Sequence, residues 1–160
     1  MTTRQKYIKL LDQYWSTIVH LRYKGIDQYH LHLIGVTRPG YESHHIFSRK
    51  NLSTRWDTDN GILLSRGHNY GPAHTNPEAF RIFLKDKWFK SEKKYCDLYL
   101  KSQMKVQYRE RDWPLLEQAL ILELIVLITK NGYNINFSPG LSYTAKLKAL
   151  KSMSREVTGR

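Results

Sequence analysis

The sequence predicts an α+β fold, a mainly helical domain built around one short antiparallel hairpin. Three observations carry this. Apolar residues recur at helical spacing toward both ends of the chain. The central stretch, residues 42–77, reads as strand, loop, strand, loop and the start of a helix. With 160 residues and 41% hydrophobic content, the chain can bury one sizeable core. Residues 1–160 are therefore expected to form a single domain, with an N-terminal helix at 4–24, a core at about 29–90 and a helical part over 91–160.

Taken in order, Tyr7, Ile8, Leu11, Tyr14, Trp15, Ile18 and Val19 share one face of the first helix, and Gly25 stops it. Alternation over Tyr29 to Val36 predicts a strand with Leu31 and Leu33 on one face and His30 and His32 solvated on the other. Arg38-Pro39-Gly40 is a turn. His44 to Arg49 and Gly61 to Ser65 are two short strands flanking a loop from Lys50 to Asn60, and two Gly and a Pro make Gly67 to Ala73 a loop. Asn76-Pro77-Glu78 is a strong helix entry, with Asn as N-cap and Pro at the first helical position. The helix runs to about Lys90, and its buried face is Phe80, Phe83, Leu84 and Trp88, with Ile82 as a further candidate. Further helices are expected over Glu92 to Lys105 and Trp113 to Lys130, the latter closed by Asn131-Gly132. The second of these is apolar nearly all round, so it is either the core of the domain or the contact of a homodimer. Ser142 to about Ser154 forms a basic amphipathic helix, with Leu147 and Leu150 inward and Lys146, Lys148 and Lys151 outward. That helix either grips DNA or is a plain solvated face.

Twenty-six Lys and Arg against 14 Asp and Glu give a net charge of +12, a surface that attracts polyanions, of which nucleic acid is the commonest. A single cysteine, Cys96, excludes an internal disulfide and a thiolate-built zinc ribbon. The N-terminal MTTRQKYIKL lacks the apolar run of a signal peptide. The most apolar window, Leu115 to Ile128, is interrupted by Glu117, Gln118 and Glu123. A soluble, cytoplasmic protein with no membrane partner is the expectation.

The chemistry concentrates in residues 42–77, which hold His44, His45, His68 and His74 together with Asn60. Neutral imidazole is the commonest ligand for transition metals and a general base near neutral pH. Adjacent His residues could divide that labour, one on a metal and one on a water. A regular strand sends neighbours to opposite faces, so the pair must sit where the strand begins or bends. Asn60 either holds the base imidazole in one tautomer or fixes the connecting loop. Singly, each residue reads as ordinary surface or turn chemistry; on this pattern and in so basic a chain, together they read as a metal site.

The run Ser43-His44-His45-Ile46-Phe47 with Arg49, then Thr54-Arg55-Trp56-Asp57, Asp59-Asn60-Gly61-Ile62, Gly67-His68, and His74 ahead of Asn76-Pro77 and Phe80, resembles the His-Asn-His (HNH) nuclease motif on a ββα-metal fold. It looks closest to phage-encoded HNH endonucleases of the Rap/NinG recombination type. Trp15-Ser16 and Arg22 also look like the segment leading into that motif, so the resemblance covers about residues 14 to 100. It implies His45 as general base, Asn60 as the middle Asn, and His44, His68 and His74 as ligands of one divalent ion. Imidazole ligation favours Mn, Ni, Co or Zn, while availability admits Mg. Arg49, Lys50, Arg55 and Arg66 are placed to meet DNA phosphates. Two departures stand out. Leu31, Ile34, Ser65 and the region of His68 occupy the places of the family's cysteine knuckles. The His68–His74 spacing is long, leaving Asn69 as an alternative to His68. The implied activity is metal-dependent hydrolysis of DNA by nicking, double-strand cutting or branch resolution, in phage recombination or DNA processing. The alternative is a non-catalytic DNA-binding protein with a structural metal site.

Overall fold

The computed structural model describes residues 1–133 and 140–158, with the Thr158 side chain excepted. Helix α1 spans Thr3–Arg22 and begins in a capping box: the Thr2 hydroxyl accepts from the Gln5 amide at 3.2 Å, and the Gln5 side chain accepts from the Thr2 amide at 2.8 Å. Its buried face, including Leu11, Tyr14, Trp15, Ile18 and Val19, packs against two later helices, α7 (Asp112–Asn131) and α8 (Tyr143–Thr158). Together these three elements form the larger apolar core.

Residues 29–36 do not form the expected strand. Gln28–Ile34 is a two-turn helix, α2, because both ends carry helix signals that outweigh the alternation between them. The Asp27 carboxylate accepts from the His30 amide at 2.9 Å, and Gly35 closes the helix at φ 77°, a conformation that suits glycine. His32 accordingly donates from Nδ1 to its own helix, at the Gln28 carbonyl, 2.9 Å away.

The hairpin is present. Strand β1 (Glu42–His45) pairs antiparallel with β2 (Gly61–Leu64), His44 opposite Ile62 and His45 opposite Gly61. It starts two residues before the expected His44 and leaves the sheet at His45, so Ile46 to Arg49 belong to the loop. A 3-10 turn at Thr58–Asn60 feeds β2. All four β2 side positions are buried, Leu63 toward α1 and Ile62 and Leu64 toward a second cluster with Phe80, Phe83 and Leu84.

The expected loop after β2 is instead two short helices, α3 (Arg66–Tyr70) and α4 (Pro72–Thr75). Ser65 caps the first by accepting from the His68 amide, and Pro72 opens the second. Helix α5 (Pro77–Phe83) starts at Asn76, whose side chain accepts from the Ala79 amide, and continues as a wider π turn over Leu84–Trp88. Helix α6 covers Glu92–Gln103. The C-terminal helix departs from expectation at one lysine: Lys146 turns inward to Glu117 at 2.6 Å instead of facing solvent. Among the described residues, no helix is long and apolar enough to cross a membrane.

Candidate active site

His44 and His45 are the last two residues of β1, where the chain leaves the sheet; their rings pack against different neighbours but stay close enough for the His45 charge to lower the His44 pKa. His45 lies flat on Trp15 of α1, ring centres 3.7 Å apart and planes within 9°. Its Nε2 sits 2.9 Å from the Arg55 carbonyl oxygen. A carbonyl only accepts, so Nε2 carries the proton and Nδ1 keeps its lone pair. Burial lowers the His45 pKa, and the Arg55 and Arg49 charges lower it further against the opposing pull of the Arg55 carbonyl and Asp12. The ring is therefore neutral at pH 7.

His44 packs edge-on to Phe80 and to His74, each with ring centres 5.5 Å away. Burial, with smaller contributions from His74 and His45, takes its pKa down to about 4, although a bond to Asn69 opposes the fall. Nδ1 donates to the Asn69 side-chain oxygen at 2.8 Å, so the lone pair is on Nε2. Tyr70, two-thirds exposed, stacks on His74 with ring centres 6.2 Å apart.

His68 belongs to a different group. Its Nδ1 donates to Asp27 at 2.6 Å, and its ring lies beside Tyr29 and His30. Asp27 is fully buried; burial pushes its pKa up, but bonds from the His30 amide, Ser65 and His68 outweigh this and hold it below the usual carboxylate range. Of the three histidines expected to share a cation, the structure thus places His44 and His74 side by side, and it sets Asn69 rather than His68 against His44. Among the described residues, no three His, Cys, Asp or Glu side chains converge as a metal-holding group. Two imidazoles on one ion at about 2.1 Å and near-tetrahedral angles have ring centres roughly 5.3 Å apart, which the His44–His74 pair matches.

Asn60 is completely buried and works on the loop, not on His45 directly. Its oxygen accepts from the Phe47 amide at 2.7 Å, and its nitrogen donates to the carbonyls of Phe47 at 2.9 Å and Thr54 at 3.0 Å. Among the four basic candidates, Arg49 and Lys50 are exposed at the loop tip. Arg66 is also exposed, with Glu42 at 3.2 Å. Arg55 is committed to Asp12 through two bonds, 2.9 and 2.7 Å, and is only 17% exposed.

Several supports were not legible as functional residues. Asp12 also accepts from Trp56 Nε1 at 2.9 Å, tying the loop to α1. Trp15 Nε1 donates to the Asp57 carbonyl at 2.9 Å, and the Ser16 and Ser43 hydroxyls meet at 3.0 Å. Arg22 bridges Thr58, Asp59 and Glu123. The signal for Trp15, Ser16 and Arg22 lay in the segment that resembles the lead-in to the motif; Asp12 and Asp27 carried none beyond their charge. Compared with known proteins, the chain matches no family model, no curated protein and no solved structure.

Proposed function

We propose that this chain is a metal-dependent endonuclease of the His-Asn-His, ββα-metal type, hydrolysing phosphodiester bonds of DNA in phage recombination or DNA processing. The observation that carries the reading is the state of His45: a neutral ring, held flat by Trp15, with its Nε2 proton given to a backbone carbonyl and its Nδ1 lone pair unassigned. That is what a general base for a water needs. A structural metal knot would require none of it.

The fit to a divalent ion rests on His44 through Nε2 and on His74, with Asn69 fixing the His44 tautomer from behind. Such an ion, when bound, supplies positive charge against the phosphate and the leaving oxygen. His45 Nδ1 takes a proton from water, whose oxygen forms the new bond to phosphorus as the bond to the 3′ oxygen breaks, and that oxygen takes a proton from solvent. The products are 5′-phosphate and 3′-hydroxyl ends. Arg49 and Lys50 contact the flanking phosphates, each adding about one unit to the salt dependence of binding. Arg55, bound to Asp12, positions the carbonyl on which His45 rests.

Plasmid nicking across Mg, Mn, Ni, Co and Zn tests this. The variant His45→Ala loses about 10²–10⁴-fold in rate while metal content and DNA affinity persist. Cleavage that survives the substitution, or metal lost with it, refutes the assigned role. A wild-type chain that binds DNA but cuts neither DNA nor RNA with any of the ions would favour the non-catalytic reading.

A further inference from the structure

Helix α3 carries Arg66, Asn69 and Tyr70 at the spacing of one helix face. That face lies over β1: Arg66 Nε donates to Glu42 at 3.2 Å, and Asn69 meets His44 at 2.8 Å. Tyr70 ends the helix, its ring 6.2 Å from that of His74 and within 25° of parallel. It is 66% exposed, and its hydroxyl bonds nothing among the described residues. At the other end of α3, a groove of about 580 Å³ is lined by Arg66 and by Arg38. Arg38 is exposed, and its guanidinium has no partner among the described residues. Arg66 uses only Nε and leaves both terminal nitrogens open. Two guanidinium groups thus share one groove, and the one acid paired with either is Glu42. Their excess charge calls for an anion, and planar forks of donors suit a phosphate.

The ring and the groove are one helical turn apart, within reach of a single ligand. A nucleotide has that shape, a flat base with a phosphate a few bonds away. The candidate ion position lies alongside, since Glu42 and His44 are two residues, about 7 Å, apart on one side of β1. Within a duplex both faces of every base are covered by its neighbours. A tyrosine ring meets a base face only where the nucleotide is unstacked. An acidic peptide would satisfy the arginines without using the ring.

We propose that Tyr70, Arg38 and Arg66 form a subsite for one unstacked nucleotide of a DNA single strand, its base on the Tyr70 ring and its phosphate on the two guanidinium groups. The subsite rests on the nuclease reading above and adds to it the state of the strand, unpaired beside the bond that is cut. It does not choose among bases, because each of them has a face to stack.

Fluorescence anisotropy in chelator, with a labelled thymidine oligonucleotide, an abasic strand of the same length and a blunt duplex, tests this without cleavage. Tyr70→Ala weakens binding of the thymidine strand by about 5- to 150-fold and leaves the abasic strand and the duplex unchanged. Tyr70→Phe, which keeps the ring, binds the thymidine strand as the wild type does. Arg38→Ala weakens both single strands and lowers the salt slope of their binding by about 0.7. Both positions are exposed, so circular dichroism stays that of the wild type. Tyr70→Ala binding the thymidine strand undiminished, an equal loss on the abasic strand or the duplex, or a salt slope that Arg38→Ala leaves intact each overturns the proposal. So does Tyr70→Phe as weak as Tyr70→Ala, which would put the hydroxyl, not the ring, on the DNA. A chain that shows the expected pattern but cuts no DNA with any ion sinks the nuclease reading alone. One that cuts DNA without the pattern sinks this subsite alone.

Discussion

Replacing Asn60 by alanine tests whether this buried amide holds the loop between the two strands. Its three hydrogen bonds run to main-chain groups: the Phe47 amide, the Phe47 carbonyl and the Thr54 carbonyl. The Thr54 carbonyl keeps a second donor, the Asp57 amide at 3.2 Å, so only the two Phe47 groups are left bare. At about 1 to 1.5 kcal/mol for each stranded group, and with a small cavity added, Asn60→Ala costs roughly 3 kcal/mol. Urea unfolding followed by circular dichroism measures this as a lowered midpoint at constant slope. The isosteric Asn60→Asp sharpens the test. One carboxyl oxygen still accepts from the Phe47 amide, but the other now faces two carbonyl oxygens, which favours the protonated acid. The folded-state pKa is then raised above the unfolded value of about 3.9, so the folded state binds more protons and stability drops as pH rises through that raised pKa. The aspartate variant thus gains on the wild type as the solution is acidified. A loss below about 1 kcal/mol for alanine, or parallel pH profiles for aspartate and wild type, would show that Asn60 does not clamp the loop.

Three further outcomes are expected. Trp15→Phe keeps a ring on His45 but loses the bond to the Asp57 carbonyl, so it costs about 1–2 kcal/mol in urea unfolding and retains most of the nicking rate. Gly61→Ala would place a Cβ 2.5 Å from Val19 Cγ2 and 3.0 Å from Trp15 Cζ2, both on a packed helix; thermal melts should show a loss of about 1–3 kcal/mol. In the metal-free protein, His44 at about 4 and His45 also below the ordinary 6.5 mean that the unfolded chain binds more protons than the folded one in that window. Stability therefore falls as pH drops below about 6.5, by roughly 2–3 kcal/mol for His44 alone by about pH 4.5, measured by urea midpoints in the presence of chelator.

The long helices were legible because their signal is a period sustained over many turns; of the two strands, the second was placed by its apolar run, whereas the first shares only His44 and His45 with the expected range. The short helices were not. Over residues 28–34 the alternation of Leu31 and Leu33 with His30 and His32 is no longer than two turns, and the deciding information sat at the ends, in Asp27 and Gly35. Residues 66–75 read as loop from Gly67, Gly71 and Pro72, yet Pro72 opens α4, and Gly71 lies against its own segment, where a Cβ would meet the Gly67 carbonyl at 2.5 Å. Site residues behaved in the same way. His44, His45, His74 and Asn60 stood out by type and spacing. The partners that set their protonation, Arg55 through its carbonyl and Asn69 through its amide, contribute by position alone, which one sequence does not display. Lys146 faced outward on a helical wheel because Glu117 lies on another helix.

The tie between Asp12 and residues 55 and 56 bears on how portable the site is. A fragment cut to the hairpin and its following helices would contain His44, His45, His68, His74 and Asn60. It would lack the indole beneath His45 and the carboxylate that anchors Arg55 and Trp56, both of which come from α1, thirty residues before His45 and more than forty before Arg55 and Trp56. Transplanting this chemistry onto another scaffold therefore means carrying the first helix along with it, docked in the same register.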